Sequence, residues 1–137
     1  MRQGEEVMKK YIVDGVEFDA DIVMEMFKEV FDYVGSFVLE KDDDELSTVI
    51  YEEYDFYYPN LSDLRLNILY DSHYITDEMR HKAQEMRAFS EKMLNGNLRR
   101  SASVIRKSPE WRQIFLLADE IKAFLADGKT NKSREKS

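Results

Sequence analysis

Scarce helix breakers and recurrent apolar residues at helical spacing predict a mainly α protein. The 137-residue chain has five glycines and two prolines, so little interrupts a helix. Apolar residues make up 43% and charged residues 35%, a balance that supports a folded core rather than a disordered chain. The expected architecture is a single-domain helical bundle of about five helices over residues 11–128. Residues 1–10 are expected to be a flexible lead, and residues 129–137 a disordered basic tail.

Each element has a local signal. Residues 11–18 read Tyr-Ile-Val-Asp-Gly-Val-Glu-Phe. Asp14-Gly15 between two β-prone runs signals a type I′ hairpin, while the shortness of the runs leaves an extended lead-in as the other reading. Asp19 or Asp21 can cap the next helix. From there Ile22, Val23, Met26, Phe27, Val30, Phe31, Val34, Phe37 and Val38 recur at helical spacing, opposite Glu25, Lys28, Glu29, Asp32 and Ser36. Asp43 or Asp44 can cap a second helix that carries Leu46, Val49, Ile50 and Tyr54. That helix should break between Asp55 and Pro59, because the residue before proline disfavours helical backbone.

Residues 61–74 fit a strand alternation or a helix. Ser62-Asp63 as a cap, with no turn signal before Ser72, favours the helix. Thr76 caps a firmer one, with Asp77 and Glu78 in its first turn and Met79, Ala83, Met86, Phe89 or Ser90, and Met93 on one face. Asn95-Gly96-Asn97 ends it. Residues 98–107 give a short basic helix. Ser108-Pro109 then starts the last helix, whose apolar face is Trp111, Ile114, Phe115, Ala118, Ile121 and Leu125, with Gly128 beyond it.

Several function classes find no support. The chain has no cysteine, so disulfides, thiolate zinc sites and cysteine nucleophiles are excluded. This composition fits a cytoplasmic protein. The start is charged rather than apolar. The best apolar stretch, residues 22–39, is interrupted by Glu25, Lys28, Glu29 and Asp32, so no membrane span is expected. The glycines are isolated and form no phosphate loop. Glu78-Met79-Arg80-His81 carries the Glu-x-x-His spacing of carboxylate-bridged metal bundles, but only one such pair occurs and Arg80 and Lys82 flank the histidine. No metal, cofactor or catalytic residue is therefore assigned, and the chain is expected not to be an enzyme.

Charge is distributed unevenly. Residues 1–80 hold 7 basic and 21 acidic side chains, and residues 81–137 hold 13 basic and 7 acidic. Arg99, Arg100, Arg106 and Lys107 form the basic focus, the stripe that a small nucleic-acid-binding regulator would use. The chain's net charge of −8 weighs against that reading. The opposite-charge halves also admit self-association, one subunit's acidic half meeting another's basic half.

The most informative segment is residues 42–63. Asp42, Asp43, Asp44, Glu45, Glu52, Glu53, Asp55 and Asp63 lie within it, and Glu40 and Asp71 flank it. Among them stand Tyr51, Tyr54, Phe56, Tyr57 and Tyr58. Five aromatics in eight positions exceed what one buried helix face absorbs, so some should be exposed. Exposed rings among carboxylates suit a protein interface, in which charge steers a basic partner and the rings anchor it.

Asp55-Phe56-Tyr57-Tyr58-Pro59, following an acidic helix, resembles the Asp-and-paired-tyrosine segment of the immunity proteins that neutralise nuclease colicins. The resemblance implies a small helical bundle whose acidic helix and tyrosines grip a basic toxin. Tyr57 and Tyr58 would be its anchors, with Asp55 and the nearby acids as steering charges. The expected function is a non-enzymatic inhibitor or immunity-type binding protein. Its expected contact set is Asp42, Asp43, Asp44, Glu45, Glu52, Glu53, Tyr54, Asp55, Phe56, Tyr57 and Tyr58.

Overall fold

The computed structural model describes residues 10–13, 16–95 and 100–127. The expected flexible lead and basic tail lie outside them, apart from Lys10, which opens the first strand. The protein is a mainly α bundle with a small hairpin at one end.

Strand β1 (Lys10–Val13) pairs antiparallel with β2 (Val16–Asp19), with Val13 opposite Val16. The hairpin is therefore formed, and its Asp14-Gly15 turn falls outside the described residues. A hairpin this short needs something to pack on. Phe18 supplies the contact, half-buried against the helical core with the Arg65 guanidinium 5.8 Å from its ring centre.

Asp19 ends β2 and caps α1 (Ala20–Val30), its carboxylate accepting from the Asp21 N–H at 2.9 Å. The apolar spacing predicts one helix through Val38. The structure corrects this: α1 stops at Val30, and three tighter hydrogen bonds, Phe31 to Lys28, Asp32 to Glu29 and Tyr33 to Val30, close its end. Gly35 then takes φ +144°, a backbone conformation that side chains rarely tolerate. A 3₁₀ turn, Ser36–Glu40, follows. It is pinned to the last helix by Asp119, whose carboxylate accepts from the Ser36 N–H at 3.1 Å and from its hydroxyl at 2.6 Å. Val34 and Val38 remain buried through this break, while Phe37 is left 41% exposed.

The next run is helical from residue 43 to 61 without interruption. It comprises α2 (Asp43–Thr48), a π-helical stretch (Val49–Tyr54), α3 (Asp55–Tyr57) and a 3₁₀ turn (Tyr58–Leu61). Asp42, rather than Asp43 or Asp44, is the cap, accepting from the Glu45 N–H at 2.8 Å. The break expected before Pro59 does not occur. Tyr58 keeps helical backbone at φ −62°, ψ −23°, because its ring is buried and the proline sits at the start of a tighter turn.

Ser62 caps α4 (Asp63–Asp71), so the ambiguous segment is a helix. Thr76 precedes α5 (Asp77–Asn95) and accepts from the Met79 N–H at 3.2 Å. Helix α6 (Ala102–Lys107) is capped by Ser101. Ser108 caps α7 (Pro109–Ala126), which has proline in its first turn. The two long helices α5 and α7 pack along each other, α4 and the 58–61 turn lie on α5, and α1 covers α4 and that turn.

The core is strongly aromatic around Trp111, which is fully buried. Tyr51, Tyr54 and Phe115 surround it at centroid distances of 6.5, 6.3 and 5.8 Å. The indole Nε1 has no hydrogen-bond partner, a cost of about 1–3 kcal/mol. Packing of the four rings opposes that cost. Tyr54 is equally buried. Its hydroxyl meets the Ser90 hydroxyl at 2.5 Å, and Ser90 donates to the Met86 carbonyl at 2.7 Å. This explains why Ser90 rather than Phe89 takes the inward position on α5.

Burial holds the Tyr54 pKa well above the ordinary 10.0. The unfolded chain would ionise this tyrosine first, so its contribution to stability is intact below pH 10.0 and is lost as the pH rises beyond that value. Urea titrations at increasing pH should show stability falling above that point, by up to about 1.4 kcal/mol per pH unit from this one group. Tyr54→Phe should cost about 1 kcal/mol at neutral pH and flatten the alkaline decline. An unchanged alkaline slope in that variant would disprove the assignment.

Candidate functional site

The helical run 43–61 determines which side chains face outward. Leu46, Ile50, Tyr54 and Tyr58 are all buried and follow one another at intervals of four. In a regular α-helix each four-residue step over-rotates by about 40°, so three steps would carry the row about 120° round the axis. The π-helical stretch, where the Asp55 N–H reaches back to the Ile50 carbonyl, is wider and keeps the row facing the core.

Two expected contact residues are therefore corrected. Tyr54 lies in the core beside Trp111. Tyr58 is 7% exposed, and its hydroxyl accepts from the Asn95 side-chain amide at 2.9 Å. Neither ring is available at the surface. The Tyr51 hydroxyl bridges inward as well, donating to the Ser101 carbonyl at 3.2 Å and accepting from the Ser101 N–H at 3.1 Å. Phe56 points the other way and is 74% exposed. Tyr57, half-buried, lies between.

The basic focus is largely spent on the chain's own acidic segment. Arg106 donates from Nε to Asp43 at 3.1 Å, and from its two terminal nitrogens to the Leu39 and Lys41 carbonyls at 2.9 and 2.7 Å. Arg100 donates to the Leu94 carbonyl at 2.8 Å, lies 3.8 Å from Asp55, and sits with its guanidinium 5.3 Å from the Tyr51 ring centre. Arg87 pairs with Asp63 at 3.4 Å. The opposite-charge halves thus meet within one chain. Of the proposed nucleic-acid contacts, Lys107 is exposed and Arg99 lies outside the described residues. Arg100 and Arg106 are held in this clamp.

Asp42, Asp44, Glu45, Glu52 and Glu53 stay on the surface. Asp44, Glu45 and Glu53 line one side of a shallow groove of about 510 Å³, together with Thr48 and Val49. The other side is formed by Asp32, Tyr33 and Phe37, with Lys41 also lining the groove. Tyr33 stacks on Tyr57 at 4.8 Å and 8° between planes, and Phe56 meets Tyr57 edge-on at 5.0 Å. The result is a ladder of three rings, Tyr33, Tyr57 and Phe56, leading out of an acidic groove. The Tyr57 hydroxyl, then partial desolvation and the carboxylates Glu53 and Glu29, hold the Tyr33 hydroxyl above its usual pKa. Tyr33 is therefore a neutral hydrogen-bonding group at physiological pH.

The sequence reading placed Asp32 on the polar side of α1 and Phe37 on its apolar face, and did not assign Tyr33. All three belong to the site because α1 ends at Val30: Asp32 and Tyr33 lie in the tightened turns that follow it, and Phe37 lies in the 3₁₀ turn beyond Gly35. The available signal was Gly35, whose positive φ no regular helix through Val38 could contain. Among the described residues no group of three or more His, Asp or Glu side chains could hold a metal ion. His81 is exposed and pairs with Asp77 at 3.5 Å. Among the described residues no helix is long and apolar enough to cross a membrane.

Compared with protein-family models, curated proteins and solved structures, the chain matches none.

The clamp yields a test of its own. Arg106→Ala removes one ion pair and two bonds to backbone carbonyls, and should destabilise the fold by about 2–3 kcal/mol. Lys107→Ala, one residue on and exposed, should change stability by less than about 0.5 kcal/mol. Equal effects in thermal denaturation would show that Arg106 is not a structural residue.

Proposed function

We propose that this protein is a non-enzymatic binding module that docks onto a basic protein through the groove and its ring ladder. The observation that carries this reading is Phe56, a large apolar ring 74% exposed beside Tyr57, in the same helical run as the exposed Glu52 and Glu53, which form no ion pair among the described residues. A solitary exposed ring is ordinary, but one stacked into a ladder beside an acidic groove is pre-positioned for contact at low entropic cost. The carboxylates Asp44, Glu45, Glu52 and Glu53 accelerate encounter with a cationic surface, and the rings hold it.

The most concrete version is an inhibitor or immunity-type protein that blocks the cationic cleft of a nuclease. The resemblance of residues 55–59 to immunity proteins of nuclease colicins supports this version. Its assignment of anchors changes in one respect: Tyr57 keeps the role, and Phe56 replaces the buried Tyr58.

Phe56→Ala and Tyr57→Ala should each weaken binding of the cognate basic protein by about 2 kcal/mol, roughly 30-fold; the exposed Phe56 should leave the melting temperature nearly unchanged, while loss of the half-buried Tyr57 should lower it modestly. Tyr58→Ala should instead lower the melting temperature. Association should slow as salt rises. Calorimetric affinities that are the same for wild type and for the Phe56→Ala, Tyr57→Ala double variant would sink the proposal.

A further inference from the structure

We propose that Lys122 fills, in the free protein, the position on the Phe37 ring that an arginine side chain of the docked basic protein takes over. This deepens the function proposed above and rests on it. Lys122 projects from α7 and holds its ammonium 4.2 Å from the Phe37 ring centre. Phe37 and Asp32 both line the acidic groove, so the ammonium stands against a wall of the docking surface.

The position is a shaped one. A side-chain carbon on Gly35 would lie 2.6 Å from Lys122 Nζ and 2.9 Å from Asp119 Oδ1, so the ammonium fits because residue 35 has none. Its occupant is nevertheless poorly satisfied. Lys122 is partly buried and forms no hydrogen bond or ion pair among the described residues. Partial burial pulls its pKa below the usual lysine value, against the opposing pull of Asp119 and Asp32. The ammonium has given up water without gaining acceptors, so little holds it against a better-matched cation.

A guanidinium is that cation. It is planar and less strongly hydrated than an ammonium, stacks on aromatic faces, and donates parallel hydrogen bonds to a single carboxylate. Asp32 offers such a carboxylate: it is exposed, it has no hydrogen-bond or ion-pair partner for its side chain among the described residues, and it is near enough to act on Lys122. Both cations on one ring would repel each other, so the guanidinium enters only if Lys122 swings out. Lys122 thereby sets selectivity: a basic protein without an arginine at this point gains nothing from the exchange.

A tetra-arginine peptide added to the full-length protein tests this by NMR. In the free protein the ring current of Phe37 should shift the Lys122 ε-methylene protons upfield. Those protons should move to the ordinary lysine position as the peptide saturates. Lys122→Met should tighten tetra-arginine binding by roughly 3-fold or more. Lys28→Met removes the same charge from an exposed position near Asp32, and should change binding by less than about 2-fold. Tetra-lysine should leave Lys122 on the ring. Lys122 protons unmoved at saturation, equal gains from the two variants, equal displacement by tetra-lysine, or no binding of tetra-arginine would each overturn the proposal. The shift of the wild-type protons depends on no variant. If the exchange fails while the Phe56→Ala, Tyr57→Ala double variant still loses the cognate protein, the docking function stands without it.

Discussion

The packing of Tyr51 and Tyr54 against Trp111 is the constraint on which the rest of the surface depends. Trp111 is fixed near the start of α7, itself aligned on α5, so its ring faces form a rigid platform. Two tyrosines three residues apart must meet that platform edge-on, which fixes the rotation of the 43–61 run about its own axis. Once that rotation is set, Glu52, Glu53 and Phe56 face outward. The acidic surface is in this sense a by-product of how a tryptophan is buried.

A second constraint is electrostatic and sits at the periphery. Arg106 reaches carbonyls at the end of the 3₁₀ turn, Leu39 and Lys41, as well as Asp43, and Asp119 holds the front of that turn. The two walls of the groove are thereby tied to the same pair of C-terminal helices. Partly buried bonds from a guanidinium to carbonyls are less screened by salt than exposed ion pairs. Ionic strength should therefore act on encounter with other molecules more than on the shape of the groove.

The helical course was legible wherever a capping residue and an apolar face coincided. Asp19, Ser62, Thr76 and Ser108 each mark a helix start through a side-chain oxygen that satisfies a free N–H, a local signal. The end of α1 was less legible because Val34, Phe37 and Val38 continue its apolar rhythm past Gly35, and periodicity cannot distinguish a helix from a turn that buries the same residues. The site was legible in composition but not in orientation. Tyr54 and Tyr58 look like Tyr57 in sequence, and only the four-residue interval from Leu46 hints that they lie inward. The role of Arg100 and Arg106 was hidden for a different reason: their partners in the acidic half are 45 or more positions away, and a charge count by halves cannot show that the halves touch.

The widened stretch at Val49–Tyr54 has a further consequence, concerning phase. Because it joins two ordinary helical segments, it works as a rotational spacer between the acidic start of the run and the aromatic end. An ordinary α-helix advances about 100° per residue and the wider π-helix less, so returning these six positions to α-helix at unchanged length would turn Phe56 and Tyr57 by roughly a quarter of a revolution relative to Asp44 and Glu45. Charges and rings would then look in different directions although nearly every side chain was retained. The composition of this surface can drift, but the widened geometry of these six positions cannot, and changes that return them to ordinary α-helix should disturb the surface far more than substitutions at its exposed acids.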